Sequence, residues 1–182
     1  MNPLEGERLV VRPVGLDDAE LLARFFEVNE AHVAPWHSGP LDSMRDAAWW
    51  RERLPKMLED PRHLRMCFFV RADDAEVGGL VNLHEIVRHP VHAAMFGYSI
   101  AKRWEGQGLM SEALALVIQH AFSKLNLHKL HASFDVVNVR SKRLLERAGF
   151  VYEGRLRSHL LVGGSWRDLD QMSLINSEWT PP

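Results

Sequence analysis

The sequence predicts an α/β or α+β fold built on one mixed sheet. Its strand-like segments alternate apolar and polar residues, whereas its helix-like segments repeat apolar residues at steps of three and four. Strands first follow one another with helices between them and later alternate with helices, which favours a mixed sheet. A chain of 182 residues can bury one substantial core but is short for two. We therefore expect residues 1–182 to form a single domain.

The first predicted elements are a strand and two helices. Arg8–Pro13 reads as a strand in which arginines flank an apolar centre. Asp17 and Asp18 follow and supply an N-terminal cap for an amphipathic helix. A second helix is predicted from about Ser43, with a bend near Pro55, because proline removes a helical hydrogen bond.

Three strands and a long helix are predicted next. Met66–Val70 and Val77–Leu83 have strand character and are joined by a polar turn. Phe96–Ile100 alternates apolar with small or polar residues, as in a half-buried strand. Between Leu109 and Phe122 the apolar residues lie on one face of a helix.

The carboxy-terminal part is predicted to contain a strand, a short helix and a hairpin. Leu130–Asp135 is the strand, and the helix begins at Asn138 or Ser141 and ends at Gly149. Two last strands flank a glycine pair that is typical of a hairpin turn: Tyr152–Leu161 and Trp166–Leu174.

The composition is that of an ordinary soluble protein, with 46% hydrophobic and 25% charged residues. A formal net charge of −2 argues against nucleic-acid binding by bulk charge. The only cysteine, Cys67, cannot form an internal disulfide, and it lies in an apolar strand that favours a buried thiol over a nucleophile. No leader or membrane-spanning segment is recognisable, so we expect a cytoplasmic protein that does not bind membranes.

The segment between the strand at Phe96–Ile100 and the helix from Leu109 is the most informative in the chain. Gly106 and Gly108 allow the backbone to approach a ligand closely, and the first N–H groups of the helix have no helical partner. Such a turn is an anion site, most naturally for phosphate.

This turn resembles the acyl-CoA pyrophosphate loop of the GNAT superfamily of N-acetyltransferases, through Arg103-x-x-Gly106-x-Gly108. Asn138-x-x-Ser141 and the helix after it match the superfamily's second cofactor motif in spacing and position. The resemblance implies a GNAT fold, with a single mixed, mostly antiparallel, twisted sheet of about seven strands flanked by helices. It also implies acetyl-CoA as co-substrate.

A closer similarity is to the GNAT branch that acetylates the N-terminal amine of ribosomal proteins. It is carried by Gly97–Ile100, Gly108–Met110, Trp166–Asp168 and the Pro35-Trp36 element. The resemblance implies direct acetyl transfer to a protein or peptide N-terminus, with a ribosomal protein as the expected partner. The sequence is compatible with a homodimer but does not define the oligomeric state.

The residues expected at the site are those that match the superfamily's motifs. The cofactor would be bound by the strand, the glycine turn and the short helix: Tyr98, Ser99, Ile100, Arg103, Trp104, Gly106, Gln107, Gly108, Leu109, Met110, Asn138 and Ser141. The acceptor would contact Pro35, Trp36, Asn82 and Tyr98.

The resemblance implies that Ser141 is the general acid, although it could instead only cap a helix. The general base is not defined, because Ser158-His159-Leu160 stands where a related enzyme carries a glutamate. Glu85 and His159 are the candidate substitutes. His84-Glu85-x-x-x-His89 has one residue too many for a zinc helix, so we expect no metal.

Two other functions remain compatible with the sequence. The same fold could acetylate a small amine, such as an antibiotic or a polyamine. Alternatively, the chain could be a non-catalytic acyl-CoA-binding module, because function does not follow from fold alone.

Overall fold

Eight strands form one sheet in the computed structural model, which describes residues 1–182. The strands are β1 (Leu4–Glu5), β2 (Leu9–Pro13), β3 (Leu64–Val70), β4 (Gly79–Val87), β5 (Ala93–Ile100), β6 (Lys129–Asp135), β7 (Val151–Val162) and β8 (Ser165–Ile175). Their order is β1-β2-β3-β4-β5-β6-β8-β7, and only the β5–β6 pair is parallel. The predicted mixed, mostly antiparallel sheet is therefore confirmed. The eighth strand is β1, whose two residues are too few to show alternation in the sequence.

Helices cover both faces of the sheet. They are α1 (Ala19–Val33), α2 (Leu41–Met44), α3 (Ala47–Glu59), α4 (Leu109–Ser123) and α5 (Val139–Arg147). One face, called here the α1 face, packs α1 and α3 against strand residues such as Cys67 and Leu80. The opposite α4 face packs α4 and α5 against residues such as Val81 and Phe96. None of the helices has the length and apolar character needed to cross a membrane.

The second predicted helix differs from expectation at its start. It is divided into the single turn α2 and the longer α3, which begins at Ala47 because the Asp46 carboxylate accepts a hydrogen bond from the Ala48 N–H at 2.8 Å. That capping bond sets the start of α3 after, and not at, Ser43. The helix also continues through Pro55 to Glu59.

Asp18 does not cap α1 with its side chain, contrary to the sequence-based expectation. Its carboxylate accepts two hydrogen bonds from the Arg12 guanidinium, at 2.6 and 2.7 Å, and a third from the Gly15 N–H at 2.7 Å. In the Arg12 pair both partners are charged and two parallel N–H groups are donated, so it is stronger than a single cap bond from a neutral backbone N–H. The pair ties the start of α1 to β2.

A gap opens between β5 and β6 at the centre of the sheet. The two strands pair only from Ala93 to Met95 on β5, opposite Lys129 to His131 on β6. Beyond that point β5 continues against β4 as far as Ile100, and β6 continues against β8 as far as Asp135. The facing edges of β5 and β6 are therefore unpaired along the rest of their length.

Candidate active site

The gap between β5 and β6 exposes a strand edge that can hold an extended ligand. Tyr98, Ser99 and Ile100 lie on β5 beyond its last pair with β6. Backbone groups on this edge can pair with the amides of a bound chain in the way an added strand would. Three of the residues predicted to bind the cofactor thus lie along the gap.

The glycine turn lies at the end of β5, where the gap opens toward the start of α4. The N–H groups of residues 106–111 donate to no carbonyl or side chain of the protein. Gly106 and Gly108 have φ angles of 78° and 77°, in the left-handed region that favours glycine. Several free N–H groups therefore lie at the positive end of the α4 dipole, an arrangement that suits a phosphate group.

Arg8 on the loop before β2 holds this turn in place. Its guanidinium donates to the Gln107 carbonyl at 2.8 Å and to the Glu112 carboxylate at 2.8 Å. Its backbone N–H donates to the other Glu112 oxygen, also at 2.8 Å. One arginine therefore joins the amino-terminal segment to both the glycine turn and the first turn of α4, and adds a positive charge beside the anion position.

The other loop residues predicted to bind the cofactor have different surroundings. The Arg103 guanidinium pairs with Asp73 at 2.8 Å and lies 4.9 Å from the centre of the Trp104 ring. The Trp104 indole N–H is buried without a hydrogen-bond partner. Glu105 connects the loop to α5 through its ion pair with Arg140. The roles of Arg103 and Trp104 in binding stay predictions.

Tyr98 and Ser141 meet on the α4 face of the gap. The Tyr98 Oη lies 2.6 Å from the Ser141 Oγ, and both residues are half-buried. Burial raises the pKa of Tyr98 to about 12, although its hydrogen bond to Ser141 acts in the opposite direction. The phenol therefore stays protonated at neutral pH and can donate to Ser141.

Asn138 occupies the N-cap position of α5. Its side-chain oxygen accepts a hydrogen bond from the Ser141 N–H at 3.1 Å. The Asn138 NH₂ group is left to donate to a ligand. Because Asn138 provides the cap, Ser141 is free from the capping role that the sequence also allowed.

On the α1 face, Asn82 and His84 lie beside the gap. Asn82 pairs with Gly97 across β4 and β5, and its side-chain oxygen accepts a long bond from the Met66 N–H at 3.4 Å. The His84 imidazole covers Gly97, because a Cβ atom built there would lie 2.7 Å from Nε2. This face thus carries polar groups where an acceptor could approach.

The two candidate bases named from the sequence lie on strand irregularities. Glu85 is exposed at a bulge in β4 and has a φ of 52°. His159 is exposed in a second bulge on the edge strand β7, next to Ser158, whose N–H donates to Asp168 at 2.8 Å. Neither is brought against Tyr98 or Ser141 by a hydrogen bond.

The predicted acceptor residues Pro35 and Trp36 lie on a short 3₁₀ turn after α1. Trp36 is 44% exposed, so its ring is available to a partner. The structure therefore brings together Tyr98, Ser141 and Asn138 and places Asn82 beside Gly97, and no hydrogen bond joins the Pro35-Trp36 turn to any of them.

Arg8 and His84 are the residues at this site that sequence reasoning missed. Arg8 is 99 positions from Gln107, and no local pattern reports that contact. In the sequence, His84 stands out only as part of a zinc-like motif. The alternation of β4 could have placed it on the same face as Asn82, but not over Gly97.

The residues present fit coenzyme A. The strand edge suits the amides of its pantetheine arm, and the free N–H groups with Arg8 suit its pyrophosphate. No cluster of His, Cys, Asp and Glu side chains in the structure has the arrangement of a metal site.

Comparison with known proteins agrees with this fit. The model of the acetyltransferase (GNAT) domain matches residues 8–151. The chain is 35% identical over 180 residues to the ribosomal protein uS5-alanine N-acetyltransferase of Escherichia coli (strain K12), covering 98% of this chain and 93% of that protein.

Two solved structures extend the similarity. The ribosomal-protein-S5-alanine acetyltransferase of Vibrio fischeri superposes with a TM-score of 0.93 at 29% identity, with both chains covered completely. Mycobacterium smegmatis RimJ in complex with CoA-disulfide has a TM-score of 0.85 at 25% identity, covering 95% of this chain and 84% of that one.

Proposed function

Since this chain belongs to the GNAT family and is an acetyl-CoA-dependent N-acetyltransferase, we propose that its acceptor is the N-terminal α-amine of a ribosomal protein. The E. coli relative, similar along almost the whole chain, is named for the alanine of uS5. Ribosomal protein uS5 with a free N-terminal alanine is therefore the acceptor that we assign first. We also treat residues 1–182 as one domain, because the single sheet includes strands from both ends of the chain.

The observation that carries the proposal is the arrangement around the gap. The unpaired edge of β5 leads to an anion site at the start of α4, and Tyr98 and Ser141 are hydrogen-bonded to each other where the two strands separate. This arrangement suits a thioester held along β5, with its reacting end near Tyr98 and its phosphates at Gly108.

The chemistry favours an α-amine over a lysine side chain. An amine must be neutral to attack a carbonyl, and an α-amine titrates about 2.5 units below lysine. Neutralising it at pH 7 therefore costs roughly 3 kcal/mol less. A protein N-terminus is an extended chain end, which can reach a gap that a bulky folded surface could not.

We assign the proton donor to Ser141. The Tyr98 phenol is held protonated by burial and donates to the Ser141 Oγ, so the serine hydrogen can point toward the gap. When the carbon–sulfur bond breaks, Ser141 gives this proton to the sulfur of the leaving thiolate. The hydrogen bond from Tyr98 stabilises the negative charge that develops on Ser141 in that step.

Acceptor selection is assigned to the α1 face. Asn82 can hydrogen-bond the first peptide group of the acceptor, and Pro35 with Trp36 offers an exposed aromatic surface at the end of α1. The exposed hairpin of β7 and β8 lies beyond β6 in the strand order, across the gap from β4 and β5. These two elements would define the acceptor channel.

The test is the initial rate of free-thiol release from acetyl-CoA with several acceptors. The panel contains a peptide with the uS5 amino-terminal sequence, the same peptide with a blocked N-terminus and an added lysine, and spermidine. The proposal predicts the fastest release with the free N-terminus and release near background with the blocked peptide. Turnover of spermidine alone would contradict the acceptor, and thiol release with none of them would contradict catalysis.

A further inference from the structure

His84 lies directly against the backbone of β5. It sits on the α1 face of β4, and a Cβ atom at position 97 would approach its Nε2 to 2.7 Å and its Cε1 to 2.8 Å. Both distances are shorter than real Cβ contacts. Only glycine at position 97 therefore allows the imidazole to take this position.

Gly97 marks the place where the gap begins. The last residue of β5 paired with β6 is Met95, opposite His131, and Gly97 comes two residues later. The Tyr98 side chain next to it points to the other face, where it meets Ser141. The His84 imidazole and the Ser141 hydroxyl thus lie on opposite faces of the sheet, near the same end of the gap.

The hydrogen bonding of His84 leaves its ring nitrogens available. The His37 Nδ1 accepts from the Gly39 N–H, and the His131 Nδ1 lies 3.3 Å from the Gln171 amide. By contrast, no protein group forms a hydrogen bond with either ring nitrogen of His84, although the residue is half-buried. A half-buried imidazole with no protein partner beside a substrate gap is available for a ligand.

The charges around His84 favour its neutral form. Burial lowers the pKa of His84, and the nearby His63 and Arg65 lower it further, whereas Glu85 acts in the opposite direction. The His63 ring centre is 6.3 Å away, and His63 and Arg65 lie on or beside β3, which pairs with β4. A neutral imidazole can accept a proton at physiological pH.

We propose that His84 is the general base that takes the proton from the acceptor amine. The amine approaches from the α1 face, and its nitrogen forms a bond to the thioester carbonyl carbon while the carbon–sulfur bond breaks. The ammonium proton passes to Nε2 of His84, and Ser141 on the α4 face supplies a proton to the sulfur. His84 later loses its proton to solvent, and Ser141 regains one. The inference rests on the proposed function only for the identity of the acceptor.

The first experiment measures kcat and KM for His84→Gln across pH. We expect kcat to fall roughly 100-fold, the loss typical of removing a general base, with KM for acetyl-CoA unchanged. In the wild type kcat should fall in acid as His84 becomes protonated, and because its pKa is lowered this limb should lie below about pH 6.5. The variant should lack the limb.

The matched control is His120→Gln. His120 is also half-buried and its pKa is also lowered, mainly by burial, but it lies in the last turn of α4 away from the gap. It should keep the wild-type kcat and the wild-type pH profile. Coenzyme A affinity, measured by calorimetry, shows that each variant is folded.

The second experiment separates a chemical role from a structural one. Imidazole added to His84→Ala should restore part of kcat, in proportion to the neutral imidazole present. Gly97→Ala should displace the ring and reduce kcat while leaving the His84 side chain in the protein. A His84→Gln variant within threefold of wild type would overturn the proposal. So would a large loss with an unchanged acid limb and no rescue by imidazole.

The result is independent of the acceptor assignment. If wild-type protein acetylates only spermidine, the proposed acceptor is wrong, and the same comparisons made with spermidine still decide whether His84 is the base.

Discussion

The Oη of Tyr98 lies 2.6 Å from the Oγ of Ser141, and this contact joins β5 to α5 across the α4 face of the gap. Asn138 caps α5 and thereby fixes the backbone of Ser141. Together the two contacts orient one hydroxyl toward the place where the two strands separate. In the proposed mechanism, Ser141 is therefore the residue whose removal should have the clearest kinetic consequence.

For Ser141→Ala we expect kcat to fall roughly 100-fold, because the leaving thiolate loses its proton donor. Affinity for coenzyme A should stay within about threefold, since the strand edge and the glycine turn are unchanged. Steady-state kinetics and calorimetry on the same sample measure the two effects. A variant with wild-type kcat would show that Ser141 does not take part in the chemistry.

Tyr98→Phe is the companion variant. It keeps the ring and removes only the hydroxyl that bonds to Ser141, so we expect a smaller loss of kcat, roughly tenfold, as for one hydrogen bond to a developing charge. If the two losses multiplied in the double variant, the hydroxyls would act independently. We expect the double variant to resemble Ser141→Ala.

Gly108→Val should abolish measurable binding of coenzyme A. Gly108 has a φ of 77°, which a β-branched residue adopts only with strain, and a side chain there would stand beside the free N–H groups. Gly163→Val is the control, because Gly163 also has a positive φ, 56°, but lies in the hairpin turn. Equal loss of affinity in both variants would contradict the assignment of the glycine turn.

Arg8→Gln should weaken coenzyme A binding about tenfold, because it removes a charge beside the anion position and two bonds that hold the turn. Arg71→Gln is a closely matched control. Both side chains are about equally exposed, at 48% and 47%, and Arg71 pairs with Glu5 on the surface. The control should bind coenzyme A normally, and unchanged affinity in Arg8→Gln would contradict the role given to Arg8.

Asp18→Asn should lower the free energy of unfolding at pH 7 by about 2 kcal/mol, because it breaks a largely buried charge-assisted network with Arg12. The effect should depend on pH. Burial raises the pKa of Asp18, but its bonds from Arg12 and Gly15 outweigh burial and leave the pKa lowered. A lowered pKa stabilises the fold above the unfolded value of about 3.9, and that stabilisation disappears as pH falls through the folded value.

Urea unfolding of wild type, Asp18→Asn and Asp17→Asn between pH 3 and pH 7 measures this dependence. Asp17 is exposed and should behave as wild type. The difference between wild type and Asp18→Asn should shrink on acidification. A difference that stays constant down to pH 3 would show that Asp18 contributes by packing and not by charge.

Much of the cofactor-binding part of the site could be predicted, because the sequence patterns that identify it involve neighbouring residues. The strand ending at Ile100, the glycines and the helix starting at Leu109 are adjacent in sequence, so periodicity and turn chemistry identify them. Asn138 and Ser141 are likewise recognisable from their spacing.

The features that could not be predicted from the sequence depend on contacts between distant segments of the chain. The Arg8 bond to Gln107, the Arg12 pair that diverts Asp18 from capping and the position of His84 over Gly97 all follow from strand register. Register is set by the whole sheet, and no local pattern reports it. The roles predicted for Glu85, His159 and Trp36 depend on the bound acceptor and stay predictions.

Thiol-release assays are suitable for this protein because its only cysteine is enclosed. Cys67 is fully buried in β3, and burial raises the pKa of its thiol to about 12. It should therefore not react with a disulfide reagent until the protein unfolds.

The decisive measurement is mass spectrometry of ribosomal protein uS5 carrying a free N-terminal alanine, after incubation with acetyl-CoA and this enzyme. We predict a single acetyl group, located by fragmentation on the α-amine, and none when His84→Gln is used for the same short time. An unmodified protein, or acetyl groups found only on lysine side chains, would contradict the assignment of this chain as an N-terminal acetyltransferase.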